Sequence, residues 1–444
     1  MKPIPELWAH QSADVQKYLA NPFILNASDP GTGKTRTCIE VIRALNIPTL
    51  ILAPKSILAC AWANDIKHYA PELDYEIAYA SNRLAAFNSG RTIIITNHDA
   101  ANWLVDNPKQ LEQFRGGFLI IDESTAYKNP SAKRSKAIAK IRPLFSRATC
   151  MSGTVTPQGI IDLWHQMFLV DMGERLGKSY YRFRSETYSP VNKGPFTEWV
   201  EKPGVSDAIA DIVSDITIRN AREDCMDLPE NQVIHINYEL PTAHMKKYLE
   251  LKKRAVMELE SGEISAINAA TLLGKLLQTA SGAVYDTNGD AHLVDTGRYE
   301  LVMDLVDARD HSVIVFNWVH QRNEMMKIAK ARGYEYGWID GAATDKQRLQ
   351  FVDDFQAGKL RCLFVHCASA AHGITLTKGC ATIHASPTYN AEHFEQVNAR
   401  IFRGGQTRKT ETLLISAVGT ADVEVYKALL DKQLKMHRLL EILK

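Results

Sequence analysis

SDPGTGKT, residues 28–35, is flanked by an apolar run, FILNA at 23–27, and by TCIEVIRAL at 37–45, whose apolar residues recur at helical spacing. A buried strand, a glycine-rich loop and a helix in that order make a grip for phosphate. Backbone N–H groups of Gly31, Thr32, Gly33, Lys34 and Thr35 would point at phosphate oxygens, helped by the field of the helix N-terminus. In such a loop the lysine, Lys34, reaches the β- and γ-phosphates and the Thr35 hydroxyl holds Mg2+, so ATP and Mg2+ are the expected cofactors. Ser28 stands where the first glycine of G-x-x-x-x-G-K-[ST] belongs, yet Gly31 and Gly33 still permit close backbone approach. A plain glycine-rich turn is the alternative, and a Lys-Thr pair directly after Gly33 argues against it.

Working outward, further apolar runs alternate with helical patterns: TLILAP (49–54), TIIIT (92–96), FLIID (118–122) and ATCMSG (148–153). The alternation returns late, in SVIVF (312–316), RCLFVH (361–366), ATIHAS (381–386) and ETLLISA (411–417). Continuous apolar strands separated by helices argue for parallel sheets with crossover helices. Between residues 160 and 310, roughly, strands are expected to be sparse and helices to dominate, as in HMKKYLELKKRAVMELE. The fold class is therefore α/β, with two lobes separated by a helical middle. A linker is expected near Asp227-Leu228-Pro229-Glu230, because proline disfavours helix in the residue before it. The expected domains are 1–228, with a helical insertion after position 160 or so, and 229–444, with one ending near 310 and a C-terminal helix.

Two further groups of residues carry chemistry. FLIIDEST places Asp122 and Glu123 just past the carboxyl end of an apolar strand, the edge at which α/β sheets bind ligands. An aspartate there can hold Mg2+ together with Thr35, and the adjacent glutamate can polarise the water that attacks the γ-phosphate. In YNAEHFEQVNARIFRGGQ, residues Gln396, Arg400 and Arg403 are spaced i, i+4, i+7, which on a helix puts them on one face. Two arginines and a glutamine aimed together suit a triphosphate better than a core. SAKRSKAIAKIR (131–142) reads first as a solvated basic helix face. YYRFR (180–184) could either contact nucleic acid or pack the insertion.

Bulk properties narrow the class. At 444 residues the chain exceeds one core, and Lys+Arg 52 against Asp+Glu 51 leaves a charge of +1, so any nucleic-acid contact must come from a local groove. The 7 cysteines include no C-x-x-C pair, which fits a reduced compartment without a zinc site. No leader pattern or membrane-spanning run is expected, and a cytoplasmic location follows.

In order along nearly the whole chain, these motifs resemble those of the superfamily-II nucleic-acid helicases and translocases, and within them the Swi/Snf class. Gln11 looks like the adenine-reading glutamine, and LILAPKSILACAWANDI, with Pro54, Ser56 and Trp62, resembles motif Ia. TIIITNHDA resembles motif Ib, DESTAYKN motif II and SGTVTPQGIIDLW motif III. IRNAREDCMDLPE (218–230) resembles the stretch that closes lobe one in this class. VIVFNWVHQ, IDGAATDKQRLQFVDDFQ, SAAHGITLT and QVNARIFRGGQT resemble motifs IV, IVa, V and VI. Two departures are Thr375, where motif V usually has asparagine, and His98 after Asn97, where Thr-Tyr is frequent.

The resemblance implies two RecA-like lobes with ATP in the cleft between them, Arg400 and Arg403 being inserted on closure. It implies duplex DNA held mostly by its phosphate backbone, with contacts from Pro54, Ser56, Thr96, Asn97, His372 and Gly373. It further implies a minimal, monomeric motor of phage or bacterial type, translocating on duplex DNA in remodelling, fork regression or branch migration. Two alternatives stay open: a strand-separating helicase loading on single strands, for which no strand-splitting hairpin is legible, and a nucleotide-gated DNA clamp.

Overall fold

Apolar runs without alternation need cover on both faces, and the runs above become strands buried on both. The computed structural model describes residues 4–193, 196–225, 227–260, 266–286, 289–370 and 374–442. The chain divides into one unit of Met1–Asp227 with Lys432–Lys444 and another of Leu228–Asp431. The stretch from Lys432 onward, expected with the second lobe, thus groups with the first.

The first unit contains β1 (Phe23–Asn26), β2 (Thr49–Ala53), β3 (Tyr75–Ala78), β4 (Ile93–Asn97), β5 (Phe118–Asp122) and β6 (Arg147–Met151). A separate antiparallel hairpin follows, β7 (Tyr188–Lys193) with β8 (Phe196–Glu201), and β9 (Thr217–Ile218) returns to the main sheet. That sheet is parallel, in the order β3-β4-β2-β5-β6-β1-β9. Because successive side chains point to opposite faces, Leu50, Leu52, Leu119 and Ile121 enter one core, and Ile51, Phe118 and Ile120 the other. Helices Ala9–Ala20 and Lys34–Leu45 close the second of these cores, through Val15, Tyr18, Ile39 and Ile42. Helices Lys133–Ile141 and Leu163–Asp171 close the first.

The second unit repeats the plan. It has β10 (Asn231–Tyr238), a small hairpin of β11 (Ala283–Tyr285) and β12 (Ala291–Leu293), then β13 (Ser312–Phe316), β14 (Tyr336–Ile339), β15 (Cys362–His366), β16 (Ala381–His384) and β17 (Thr410–Ala417). The main sheet is parallel, ordered β10-β17-β16-β13-β15-β14, with Ile314, Phe316 and Phe364 on one face and Val313, Val315 and Leu363 on the other. The expected pair of parallel α/β lobes is what the chain builds.

The middle of the chain is less helical than its patterning suggests. Long helices at Thr242–Glu260 and Ala266–Ala280 agree with expectation, but two hairpins and β10 fall between residues 160 and 310. The β7–β8 ribbon is exposed along most of its length, so it offers no apolar run from which to read a strand. YYRFR packs into the insertion: Phe183 is buried, Tyr180 meets the Trp164 ring edge-on at 5.5 Å, and the Arg184 guanidinium lies 4.2 Å from the Trp199 ring centre. Of the basic residues in 131–142, Lys133, Arg134, Lys136 and Lys140 are solvent-exposed, but Arg142 is buried, its guanidinium donating to the Leu169, Phe145 and Val170 carbonyls.

One buried ion pair anchors the second unit. Arg298 and Asp422 meet at 2.6 Å with side chains 1% and 0% exposed, and the Ala417 N–H also donates to Asp422 at 3.0 Å. Asp422→Ala would strand a guanidinium in the interior. It should cost about 3–5 kcal/mol in urea unfolding of the full chain, and replacing both residues by apolar ones should recover most of that. Equal losses in the single and double variants would refute the pairing argument.

Candidate functional site

In the first sheet β5, β6 and β1 are neighbours, so the segments leaving their carboxyl ends meet. The phosphate loop leaves β1, Asp122 and Glu123 end β5, and Ser152-Gly153-Thr154 leaves β6. Gly31 and Gly33 have φ of 92° and 89°, the left-handed region that glycine enters without steric cost. Gly33 caps the helix Lys34–Leu45, and a Cβ there would collide with the Gln11 amide. Gln11 itself is buried against the loop. Its Nε2 donates to the Thr32 carbonyl at 3.3 Å, and its Oε1 accepts the Trp8 N–H at 3.0 Å. Thr35 is the second residue of the helix, on its N-terminal turn.

Lys34 Nζ donates to the carbonyls of Ser28 (2.7 Å) and Asp29 (3.1 Å), so its ammonium lies back along its own loop. Burial pulls its pKa down, against Glu123, Asp122 and Asp29, which pull it up. Burial likewise pushes the Asp122 carboxyl above the usual carboxylate range, opposed by the Trp62 N–H and by Lys34. Trp62 is completely buried, and its Nε1 donates to Asp122 Oδ2 at 2.9 Å, while the Glu123 N–H donates to Oδ1 at 3.0 Å. No local motif marks that contact, although an indole N–H in a core must find an acceptor. Glu123 has φ of 50°, uncommon for a residue with a side chain and a conformation that costs energy unless its surroundings impose it. Ser152 Oγ donates to Glu123 Oε2 at 3.3 Å and accepts the Thr154 N–H at 3.1 Å. A Cβ on Gly153 would meet the Pro30 ring at 2.6 Å, so the turn after β6 lies directly against the phosphate loop.

Near the loop, the Asn220 side chain donates to Asp14 Oδ2 at 2.8 Å. Burial raises Asp14 from 3.8 to about 6, partly offset by the Asn220 hydrogen bond. A carboxyl raised in the fold keeps a proton that the unfolded chain has already released. Stability should therefore fall as pH rises from 3.8 to about 6, and the penalty persists above that. Asp14→Asn is expected to melt higher than the wild type at pH 7.5, the gap narrowing as pH is lowered through that window. A pH-independent gap would contradict the assignment.

In the second unit the helix Ala391–Asn398 ends before Arg400, so Gln396, Arg400 and Arg403 do not share a helix face as their spacing predicted. The two arginines converge by another route. Arg400 Nη1 (3.3 Å) and Arg403 Nη1 (3.2 Å) both donate to the Ile374 carbonyl. Arg400 is buried and also holds the Gln396 carbonyl at 2.9 Å, whereas Arg403 is half-buried. Gln396 is buried, its Nε2 3.4 Å from Glu392. Gln406, read only as the end of motif VI, ties this corner together, its Nε2 donating to Thr377 (3.1 Å), Gly379 (3.0 Å) and Ile401 (3.3 Å) carbonyls.

Of the expected DNA contacts, Pro54 and Ser56 are half-buried, and Asn97 accepts from Arg83 Nη2 at 2.8 Å. Thr96, expected to touch DNA, is instead completely buried with its hydroxyl on the Ala78 carbonyl at 2.8 Å, because it points into the sheet's core face. His372 and Gly373 lie outside the described residues. Among the described residues no cluster of three or more His, Cys, Asp or Glu could hold a metal, and no helix is long and apolar enough to cross a membrane.

The description SNF2-related domain matches residues 19–281, and the helicase conserved C-terminal domain matches residues 297–405. The chain is 29% identical over 404 residues to a putative protein p41 of Acyrthosiphon pisum secondary endosymbiont phage 1, covering 86% of this chain and 84% of that one. It is 25% identical over 430 residues to an uncharacterized ATP-dependent helicase of Mycoplasma pneumoniae, covering 92% of this chain but 39% of that protein, so it spans well under half of that relative. The SWI2/SNF2 ATPase core of Sulfolobus solfataricus, solved in complex with dsDNA, aligns over 99% of this chain and 97% of its own, at 21% identity and a TM-score of 0.47.

Proposed function

We propose that this chain, which belongs to the SNF2-related domain family of ATP-hydrolysing enzymes, is a DNA-stimulated ATPase that translocates along duplex DNA. The observation that carries the reading is the meeting of Lys34, Asp122, Glu123 and Ser152 at adjoining strand ends. There the candidate base is held by the same turn that touches the phosphate loop. Lys34 would exchange the Ser28 and Asp29 carbonyls for phosphate oxygens, and Glu123 would orient the attacking water. Gln11, packed on the loop, would read the base. Thr35 and Asp122 offer oxygen donors that suit Mg2+, which when bound neutralises phosphate charge, and a cation there would relieve the cost of burying Asp122. Arg400 and Arg403 would serve the transferred phosphate. DNA would be held chiefly through its backbone, so binding tolerates sequence.

The test is steady-state ATP hydrolysis without nucleic acid and with single-stranded, blunt duplex and forked DNA, Lys34→Ala serving as the inactive control. Strong stimulation by blunt duplex, with displacement of a triplex strand, is the expected result. Affinity for duplex should fall by about 10³-fold between 50 and 200 mM salt, as several phosphate contacts are screened. A flat salt dependence would argue against a backbone-tracking groove. The exposed β7–β8 hairpin favours one other reading, a strand-separating helicase. Stimulation by single-stranded and forked DNA alone would select it.

A further inference from the structure

The phosphate loop is held from behind by the segment that precedes the chain's passage to the second unit at Asp227–Leu228. β9 pairs with β1 (Leu25 with Thr217, Asn26 with Ile218), and the backbone ladder runs on past both strands. The Ala27 N–H donates to the Ile218 carbonyl at 2.8 Å, and the Asp29 N–H to the Asn220 carbonyl at 3.0 Å. Side chains then add to the ladder. Arg219 Nη1 donates to Asp29 Oδ1 at 2.6 Å, a pair with side chains 1% and 11% exposed, and the Arg222 N–H donates to Oδ2 at 2.9 Å. Although burial pushes the Asp29 carboxyl up, Arg219 and the Arg222 N–H pull it the other way, and it ends below the usual carboxylate range. Arg222 Nε reaches the Pro30 carbonyl at 3.2 Å.

Ser28, the residue that departs from the usual loop pattern, has a specific place here. Its hydroxyl oxygen accepts from both the Asn220 backbone N–H (3.0 Å) and the Asn220 side-chain amide (3.2 Å). Glycine could accept neither. The carbonyls of the same two residues, Ser28 and Asp29, receive the Lys34 ammonium. One short stretch of loop thus faces the lysine with its carbonyls and the 219–222 segment with its side chains.

We propose that Arg219, Asn220 and Arg222 form a latch that positions the phosphate loop through Ser28, Asp29 and Pro30, and through which nucleotide seating at Lys34 is felt in the segment leading to the second unit. The inference rests on the ATP reading above. Phosphate that draws Lys34 off the Ser28 and Asp29 carbonyls shifts the stretch that the latch holds. Arg219, Asn220, Arg222, Ser28 and Asp29 are positioning residues in this scheme.

The test is hydrogen exchange of the full chain with and without Mg-ATP, following residues 27–35 and 217–225, alongside fluorescent-ATP titrations. In the wild type both segments should slow together on ATP binding. Ser28→Gly, which restores the common loop pattern and removes only the Asn220 contacts, should still bind ATP and slow at 31–35 but respond more weakly at 217–222. Arg219→Gln should bind ATP about tenfold more weakly, the loss expected for one charge-assisted hydrogen bond. Adding Asp29→Asn should recover part of that by removing the unpaired carboxylate. Slowing at 31–35 alone in the wild type, or an unchanged 217–222 response in Ser28→Gly, would overturn the latch while leaving the ATP site standing. No slowing anywhere, matching Lys34→Ala, would overturn the ATP reading and the latch with it.

Discussion

Arg403→Ala is expected to lower the rate of DNA-stimulated ATP hydrolysis by about 10³–10⁵-fold, the range over which an arginine at a transferring phosphate acts. The argument starts from the pair at the Ile374 carbonyl. Arg400 and Arg403 share that acceptor, but Arg400 is buried and committed through Nε to the Gln396 carbonyl as well. Arg403 is half-buried, and a planar guanidinium fork suits phosphate oxygens bidentately. The two substitutions should therefore differ in kind. Arg403→Ala should leave the melting temperature near that of the wild type, whereas Arg400→Ala should lower both stability and rate. Arg403→Lys should recover only part of the activity, because a point charge cannot reproduce the planar fork. Near-normal turnover in Arg403→Ala would remove the arginine from the mechanism.

Glu123→Gln should reduce turnover by about 10²–10⁴-fold, the contribution of a positioned general base, and leave ATP affinity within a few-fold. Glutamine matches glutamate in shape and can still accept from Ser152, so the φ of 50° and the contact at 3.3 Å should survive. What it cannot do is polarise water by taking up a proton. Burst and single-turnover measurements separate the two effects: binding intact, chemistry slow. Wild-type chemistry in this variant would move the base elsewhere and leave the strained backbone at Glu123 without a functional account.

Much of the candidate site could be read from local patterning because its key demands are local. A phosphate loop needs two glycines at left-handed φ, a lysine and a hydroxyl in fixed register, and these lie within SDPGTGKT. FLIID followed by Glu123 announces a strand end with two carboxylates for the same reason. The spacing of Gln396, Arg400 and Arg403 misled, since it presumes a helix that ends at Asn398. Thr96 misled because its neighbours in TIIIT give no sign of which face each residue takes at the strand's end.

By itself the sequence determined that this chain forms parallel sheets covered on both sides, and that a glycine-rich turn joins a strand of the first to a helix. Continuous apolar strands and periodic helices have no other way to bury their surfaces. The tertiary structure alone decided which distant residues serve the site: Trp62 on Asp122, Ser152 on Glu123, and Arg219 on Asp29. Each of these contacts depends on strand order, with β2, β5, β6, β1 and β9 side by side. Strand order is set by the packing of the whole unit, and no window of sequence carries it.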